Sequence, residues 1–186
     1  MRPYLVHAAL HQLAQIEIDA IRAYTQAIER CRDPELDRML RDFREDHLRH
    51  IQDLSVEIRK TGGMPPAGLD LPGLGIEAFT ATLALTGKGG ALMATQGNEI
   101  VTNDAYASAL ARDLPDDVRA IVERNAEDEQ RHLASIRGQL EAVFPAGPLL
   151  SGAATMQGWL TRSAVVAFQS FAAPVLLQDT AARDGP

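Results

Sequence analysis

Several residue types are scarce in this chain, and their scarcity excludes whole classes of protein. The 186 residues contain one cysteine, Cys31, so neither an intrachain disulfide framework nor a four-cysteine zinc site can form. Acidic side chains outnumber basic ones by 25 to 18, which argues against nucleic acid or an anionic membrane as the main partner. No stretch reaches the roughly 20 uninterrupted apolar residues of a membrane span, and the first residues do not resemble an export signal. We therefore expect a soluble, cytoplasmic protein that binds neither nucleic acid nor a membrane.

What the sequence does contain is a repeating helical period. It is 46% apolar and 23% charged, which is the composition of a globular protein. In four segments the apolar residues recur at steps of three and four, as they do on one face of a helix. These segments cover residues 10–28, 36–58, 92–110 and 118–143. Asp33 before Pro34, and Leu114 before Pro115, predict two helices that begin with a capping residue and a proline. No segment alternates with a period of two, so we expect an all-α protein.

The lengths of the connections predict how these helices are arranged. A few residues separate the first helix from the second and the third from the fourth, so each pair forms an antiparallel hairpin. The segment 61–88 between the pairs, rich in glycine and proline, is long enough to cross the length of a bundle. We therefore expect residues 1–144 to form a four-helix bundle. Within 145–186 we expect a linker, a helix at about 155–172 that a homodimer buries, and a mobile tail.

The two hairpins also resemble each other residue by residue. A shift of 82 positions aligns Glu17 with Glu99 and His50 with His132 without a gap. Further identical pairs are Leu10 with Leu92, Ile18 with Ile100, Tyr24 with Tyr106, Glu45 with Glu127, Asp46 with Asp128 and Arg49 with Arg131. A duplicated hairpin that packs on its twin forms a bundle with a pseudo-twofold axis, and equivalent residues meet near that axis.

Acidic residues and histidines interrupt the apolar stripes at six positions. They are Glu17, His47, His50, Glu99, Glu129 and His132. An ionised carboxylate on an apolar helix face is costly unless it is paired or bound to a metal. Residues three apart project from the same side of a helix, so Glu129 and His132 can bind one ion together. Mixed carboxylate and imidazole ligands suit iron, manganese or zinc, and we interpret the six residues as a metal site. The alternative is a polar core layer in which the glutamates pair with the histidines.

With these residues the chain resembles the ferritin-like superfamily of ferritins, bacterioferritins and rubrerythrins, and in particular its small bacterial stress-associated families. The family pattern is one glutamate on each of two helices and a Glu-x-x-His on each of the other two. Glu17 and Glu99 match the single glutamates. Glu129 and His132 match one Glu-x-x-His. The resemblance implies a ferritin-like bundle with two iron or manganese ions, which oxidise Fe(II) or reduce a small oxidant such as oxygen or peroxide.

One position departs from the family pattern. Where the second Glu-x-x-His should begin, the chain has His47, and in the family that glutamate usually bridges the two ions. An imidazole has no pair of oxygens to bridge with, so one bridge and one negative charge are lost. The departure leaves several outcomes open: an asymmetric pair of ions, a single ion at Glu99 and the intact Glu-x-x-His, a preference for zinc, or no site at all. Glu45 and Asp46 lie off the apolar stripe, so neither substitutes easily for that glutamate; Asp46, four residues before His50, is the nearer candidate.

Two functions are compatible with this pattern. The first is a metal-dependent oxidoreductase of the ferroxidase or peroxidase type. The second is a ferritin-like bundle that has lost redox activity and serves as a structural or partner-binding stress protein. Beside the six residues, Tyr24 and Tyr106 occupy equivalent stripe positions, and we expect their hydroxyls to hydrogen-bond to the polar layer. Asn103 and Asn125 lie one turn from ligand candidates, and we expect them to orient those ligands.

Overall fold

Every regular element in the described part of the chain is a helix. The computed structural model describes residues 3–68 and 87–144. Its helices are α1 Pro3–Arg30, α2 Pro34–Lys60, α3 Lys88–Leu110 and α4 Asp116–Val143. Within these two ranges there is no strand, which confirms the all-α prediction for them, and no helix there is both long and apolar enough to cross a membrane. The predicted C-terminal helix, its linker and its tail lie outside the described residues.

Local sequence signals set the ends of the helices. Asp33 caps α2, because its Oδ1 accepts a hydrogen bond of 2.8 Å from the amide of Leu36, and Pro34 is the first helical residue, as predicted. Beyond the other end of α2, Gly62 turns the chain with a φ of 81°, a conformation that favours glycine. The predicted start of α4 is wrong by one residue, because Pro115 precedes the helix instead of opening it, and no side chain caps this end.

The four helices form two hairpins that pack side by side. α1 contacts α2 and α3, and α4 contacts α3 and α2. The connections 31–33 and 111–115 are so short that each pair of packed helices must run antiparallel. The two predicted hairpins are therefore present, and the four helices enclose one shared interior.

Two apolar clusters occupy this interior, one toward each end. The first joins the start of α1, the end of α2, the end of α3 and the start of α4, and includes Leu10, Leu13, Leu54, Ile58, Tyr106 and Val122. The second joins the opposite ends of the same helices and includes Tyr24, Leu36, Leu40, Leu92, Ile136 and Leu140. Burying an aliphatic side chain contributes roughly 1.5–3 kcal/mol, so both clusters hold the helices together. Between the clusters lies a central polar layer.

Candidate metal centre

The central layer consists of the six stripe residues that the sequence singles out. They come from all four helices: Glu17 from α1, His47 and His50 from α2, Glu99 from α3, and Glu129 and His132 from α4. Each of the six side chains is completely buried. Each lies between the parts of its helix that contribute to the two apolar clusters, so the structure brings all six together.

The nitrogen and oxygen atoms of these residues form two overlapping groups, which we call half-sites. The first half-site comprises Glu17, His47, His50 and Glu129, and the second comprises His47, Glu99, Glu129 and His132. Within each half-site, one ligand atom per residue lies within 4.8 Å of every other. His47 and Glu129 belong to both half-sites, and the shift of 82 positions relates them to each other. The centre therefore has the approximate twofold symmetry that the repeat predicts.

The first half-site is closely packed. Glu17 Oε2 lies 2.6 Å from His47 Nδ1, and Glu17 Oε1 lies 3.2 Å from His50 Nδ1. His50 Nδ1 also lies 2.9 Å from Glu129 Oε1. These contacts become ion pairs when the imidazoles are protonated, because an ionised carboxylate can only accept a hydrogen bond. Protons on the two histidines thus hold the carboxylates of this half-site together.

The second half-site is wider and leaves polar atoms unpaired. His132 Nδ1 lies 3.8 Å from Glu99 Oε2 and 3.8 Å from Glu129 Oε2, and none of these three buried atoms has a hydrogen-bond partner. Such atoms are rare in proteins, because each costs about 1–3 kcal/mol. A separation of 3.8 Å is too long for a hydrogen bond, but it is shorter than twice a metal–ligand bond of about 2.0–2.2 Å, so one ion can contact both atoms of each pair. The three atoms therefore fit a metal ion.

Two aspartates contact the histidines from the side that faces away from the centre. Asp46 Oδ2 lies 2.9 Å from His132 Nε2. Asp128 Oδ2 lies 3.2 Å from His50 Nε2. Because an ionised carboxylate accepts, each Nε2 carries a proton, and the Nδ1 of each ring faces the glutamates. Asp46, the nearer of the two candidates for a substitute ligand, therefore belongs to neither half-site, because its carboxylate binds the outer nitrogen of a ligand candidate on the opposite helix.

Two arginines complete this outer cluster. Arg49 donates to Asp46 at 2.5 Å and also to Asp128. Arg131 donates to Asp46 at 2.8 Å and also to Asp128. Although burial raises the pKa of Asp46, its hydrogen bonds with His132 and Arg49 lower that pKa to about 2. Both arginines are about half exposed, so the ion pairs add little stability. The ion pairs instead keep the two aspartates ionised.

Tyrosine hydroxyls reach the layer from the two apolar clusters, as predicted. Tyr24 donates to Glu99 Oε1 at 2.5 Å. Tyr106 donates to Glu17 Oε1 at 2.5 Å. Burial raises the pKa of both hydroxyls well above the ordinary value, and the neighbouring carboxylates raise it further. Both tyrosines therefore remain protonated donors that fix the two single glutamates.

Other neighbours of the layer differ from expectation. Asn103 donates to the main-chain oxygens of Glu99 and Glu129, at 2.8 and 3.0 Å, so it joins α3 to α4 instead of orienting a ligand side chain. Asn125 is buried but forms no hydrogen bond with any of the six residues. Phe43, for which the sequence predicts no role at the site, stacks its ring on that of His132 with centroids 4.1 Å apart.

The acids and bases of the centre differ in how readily they carry charge. Burial opposes ionisation of Glu17, but the charge and hydrogen bonds of His47 and His50 outweigh it and lower the pKa to about 2. Burial raises the pKa of Glu129 to about 7; His47 opposes the shift, and the other glutamates reinforce it. Burial lowers the pKa of His50, yet hydrogen bonds with Glu129 and Glu17 raise it to about 10. Burial lowers the pKa of His132, which keeps that ring neutral and its Nδ1 available as a ligand.

Fold and site together define a class of protein: an all-α helical bundle with a buried cluster of glutamates and histidines that could hold metal ions. The chain belongs to the family described as a domain of unknown function, DUF2383, whose pattern matches residues 6–112. The match includes most of α1 and all of α2 and α3, and it ends before α4. No curated protein and no solved structure matches the chain. Its function is therefore argued from the centre itself.

Proposed function

We propose that the protein is a ferritin-like metal protein whose centre binds two ions, iron or manganese, and works as an oxidoreductase of the ferroxidase or peroxidase type. The second half-site carries this proposal. There His132 Nδ1 and one oxygen each of Glu99 and Glu129 are buried, unpaired and arranged at the spacing of metal ligands. Carboxylates that share an apolar interior repel each other strongly, and a cation between them removes that cost. The ferritin-like fold is supported by the duplicated hairpins and by one glutamate on each of α1 and α3.

Each half-site supplies ligands of the same kind to one ion. One ion would be held by Glu17 and His50, and the other by Glu99 and His132, with Glu129 between them. Imidazole with carboxylate suits iron, manganese or zinc better than calcium or magnesium. When bound, iron or manganese supplies the electrons that oxygen or peroxide accepts.

The surrounding residues support this chemistry without contacting the ions. The aspartates of the outer cluster keep a proton of each histidine on Nε2. Nδ1 of neutral His132 therefore offers its lone pair, and Nδ1 of His50 does so once an ion displaces its proton. The tyrosine hydroxyls hold the two single glutamates. The apolar clusters on both sides exclude water from the layer. Glu129, whose pKa is about 7, can release its proton when a cation arrives.

Metal content tests the proposal directly. The protein is purified without a histidine tag from cells grown with iron and manganese, and its metal is measured by mass spectrometry. We expect two ions per chain in the wild type, and loss of metal together with Fe(II) oxidation or peroxide consumption in the Glu129→Gln, His132→Ala double variant. The matched control is Glu127→Gln, an exposed glutamate on the same helix, which should retain both. Wild-type protein that contains no metal and takes up none on reconstitution would refute the proposal.

A second candidate function is a structural or partner-binding protein that needs no metal. The observation that favours it is the 2.6 Å contact between His47 and Glu17, because a protonated imidazole there supplies positive charge that an ion would otherwise bring. This function predicts that the Glu129→Gln, His132→Ala double variant complements a deletion strain as well as the wild type does. A variant that folds but fails to complement would reject it.

A further inference from the structure

His47 faces both half-sites at once. Its Nδ1 lies 2.6 Å from Glu17 Oε2 in the first half-site. Its Nε2 lies 3.3 Å from Glu99 Oε1 in the second half-site and has no hydrogen-bond partner. The ring is completely buried. The two nitrogens of one imidazole thus lie next to the single glutamates of opposite half-sites.

Glu129 occupies the equivalent position in the repeat and spans the centre in the same way. Its Oε1 lies 2.9 Å from His50 Nδ1, in the first half-site. Its Oε2 lies 3.8 Å from His132 Nδ1, in the second. A carboxylate placed between two ions can bind each through one oxygen. The pseudo-twofold symmetry therefore puts two bifunctional side chains, one acid and one imidazole, at the junction of the half-sites.

We propose that His47 is a ligand shared by the two metal ions, with Nδ1 bound to one and Nε2 bound to the other. An imidazole ring would then take the place of a bridging carboxylate. This inference rests on the proposed metal centre and specifies how that centre is joined. In the metal-free centre the protonated His47 ring carries an N–H on each nitrogen. Each ion takes the place of one of these protons, both protons pass to solvent, and the ring becomes an imidazolate with one negative charge.

Charge balance supports this arrangement. The three glutamates of the centre carry three negative charges, and an imidazolate adds a fourth, which equals the charge of two divalent ions. With a neutral His47, the metal-loaded centre would keep one uncompensated positive charge in an apolar interior, which is costly. Because the two nitrogens lie on different edges of the ring, the ions must also be farther apart than the roughly 3.5–4 Å of common two-metal sites.

The test compares three variants of the full chain in titrations with Co(II), whose absorption reports on each ion's environment. His47→Gln should weaken the binding of both ions, by at least about tenfold, since loss of an outer-shell partner alone costs 10–100-fold. The matched controls His50→Gln and His132→Gln should each weaken one ion far more than the other. If His47→Gln weakens one ion only, the shared ligand is refuted and the metal centre stands. If the wild type binds no Co(II), the metal centre itself is refuted.

A measurement on the wild-type protein tests whether His47 is shared, even if the His47→Gln variant does not fold. X-ray absorption of the protein loaded with two Co(II) ions reports the average neighbours of the two ions and the distance between them. A shared His47 gives each ion two imidazoles, the second one being His50 or His132, and no metal–metal distance at roughly 3.5–4 Å. A metal–metal distance in that range, or an average of fewer than two imidazoles per ion, would overturn the proposal.

Discussion

Replacing Glu129 by glutamine should make the metal-free protein more stable. The carboxyl is completely buried, and its pKa rises from 4.5 to about 7. Because the pKa of this acid is higher in the folded state, the free energy of unfolding falls as pH rises from 4.5 through 7. Each pKa unit corresponds to about 1.36 kcal/mol, so at pH 8 the ionised group costs about 3 kcal/mol. That cost already includes the attraction of the neighbouring His47. Glutamine carries no charge and avoids the cost, so we expect a net gain of about 1–3 kcal/mol.

The assay is urea unfolding of chelator-treated protein, followed by circular dichroism at pH 8 and pH 5. The gain should shrink at pH 5, where Glu129 is already protonated in the folded state. Glu17→Gln is the matched variant with the opposite sign. The pKa of Glu17 is lowered to about 2, so its ionised form stabilises the fold above the unfolded pKa, and glutamine should destabilise at pH 8. If Glu129→Gln is less stable than the wild type at pH 8, the charge reasoning is refuted.

Three further predictions follow from the centre and from the end of α2. A divalent ion at 100 times its Kd should stabilise the fold by about 2.7 kcal/mol and raise Tm by about 5–10 °C. Calorimetry with and without chelator measures this shift, and an unchanged Tm would contradict metal binding. Asp46→Asn should weaken metal binding by about 10–100-fold, whereas the control Asp42→Asn, at an exposed position of the same helix, should not. Equal affinities of the two variants would show that the outer cluster does not orient ligands. Gly63→Ala should lower the free energy of unfolding by about 1 kcal/mol in urea. The new Cβ overlaps the His7 ring and breaks the 2.9 Å hydrogen bond between His7 and Thr61, so an unchanged stability would contradict the prediction.

The helices and the composition of the buried layer could be predicted from the sequence because both depend on periodicity. An amphipathic helix buries one face, so an acidic residue on that face is either buried or breaks the pattern. The pattern predicts that Glu17 and Glu99 face the interior, and both are completely buried. The shift of 82 positions then predicted that equivalent residues meet, and the equivalent pair His47 and Glu129 does, with His47 Nδ1 3.3 Å from Glu129 Oε1.

Contacts across the interface between α2 and α4 could not be predicted, because spacing along one helix does not fix which side chain of another helix it meets. Its position four residues before His50 places Asp46 beside a ligand candidate of its own helix, yet its carboxylate binds His132 on α4. The stacking of Phe43 on the same ring has no counterpart in the repeat, since Asn125 occupies the equivalent position. The sequence did contain a signal for the outer cluster, because the repeat preserves Asp46 as Asp128. An identical residue in both hairpins does not by itself show which side chain each aspartate contacts.

The most direct test of the central claim is anomalous diffraction from crystals of untagged protein, recorded on both sides of the iron and manganese absorption edges. We expect two anomalous peaks inside the bundle, one between Glu17 and His50 and one between Glu99 and His132. Well-ordered side chains at these positions with no anomalous peak, after reconstitution with iron and with manganese, would contradict the claim that this layer of glutamates and histidines is a metal centre.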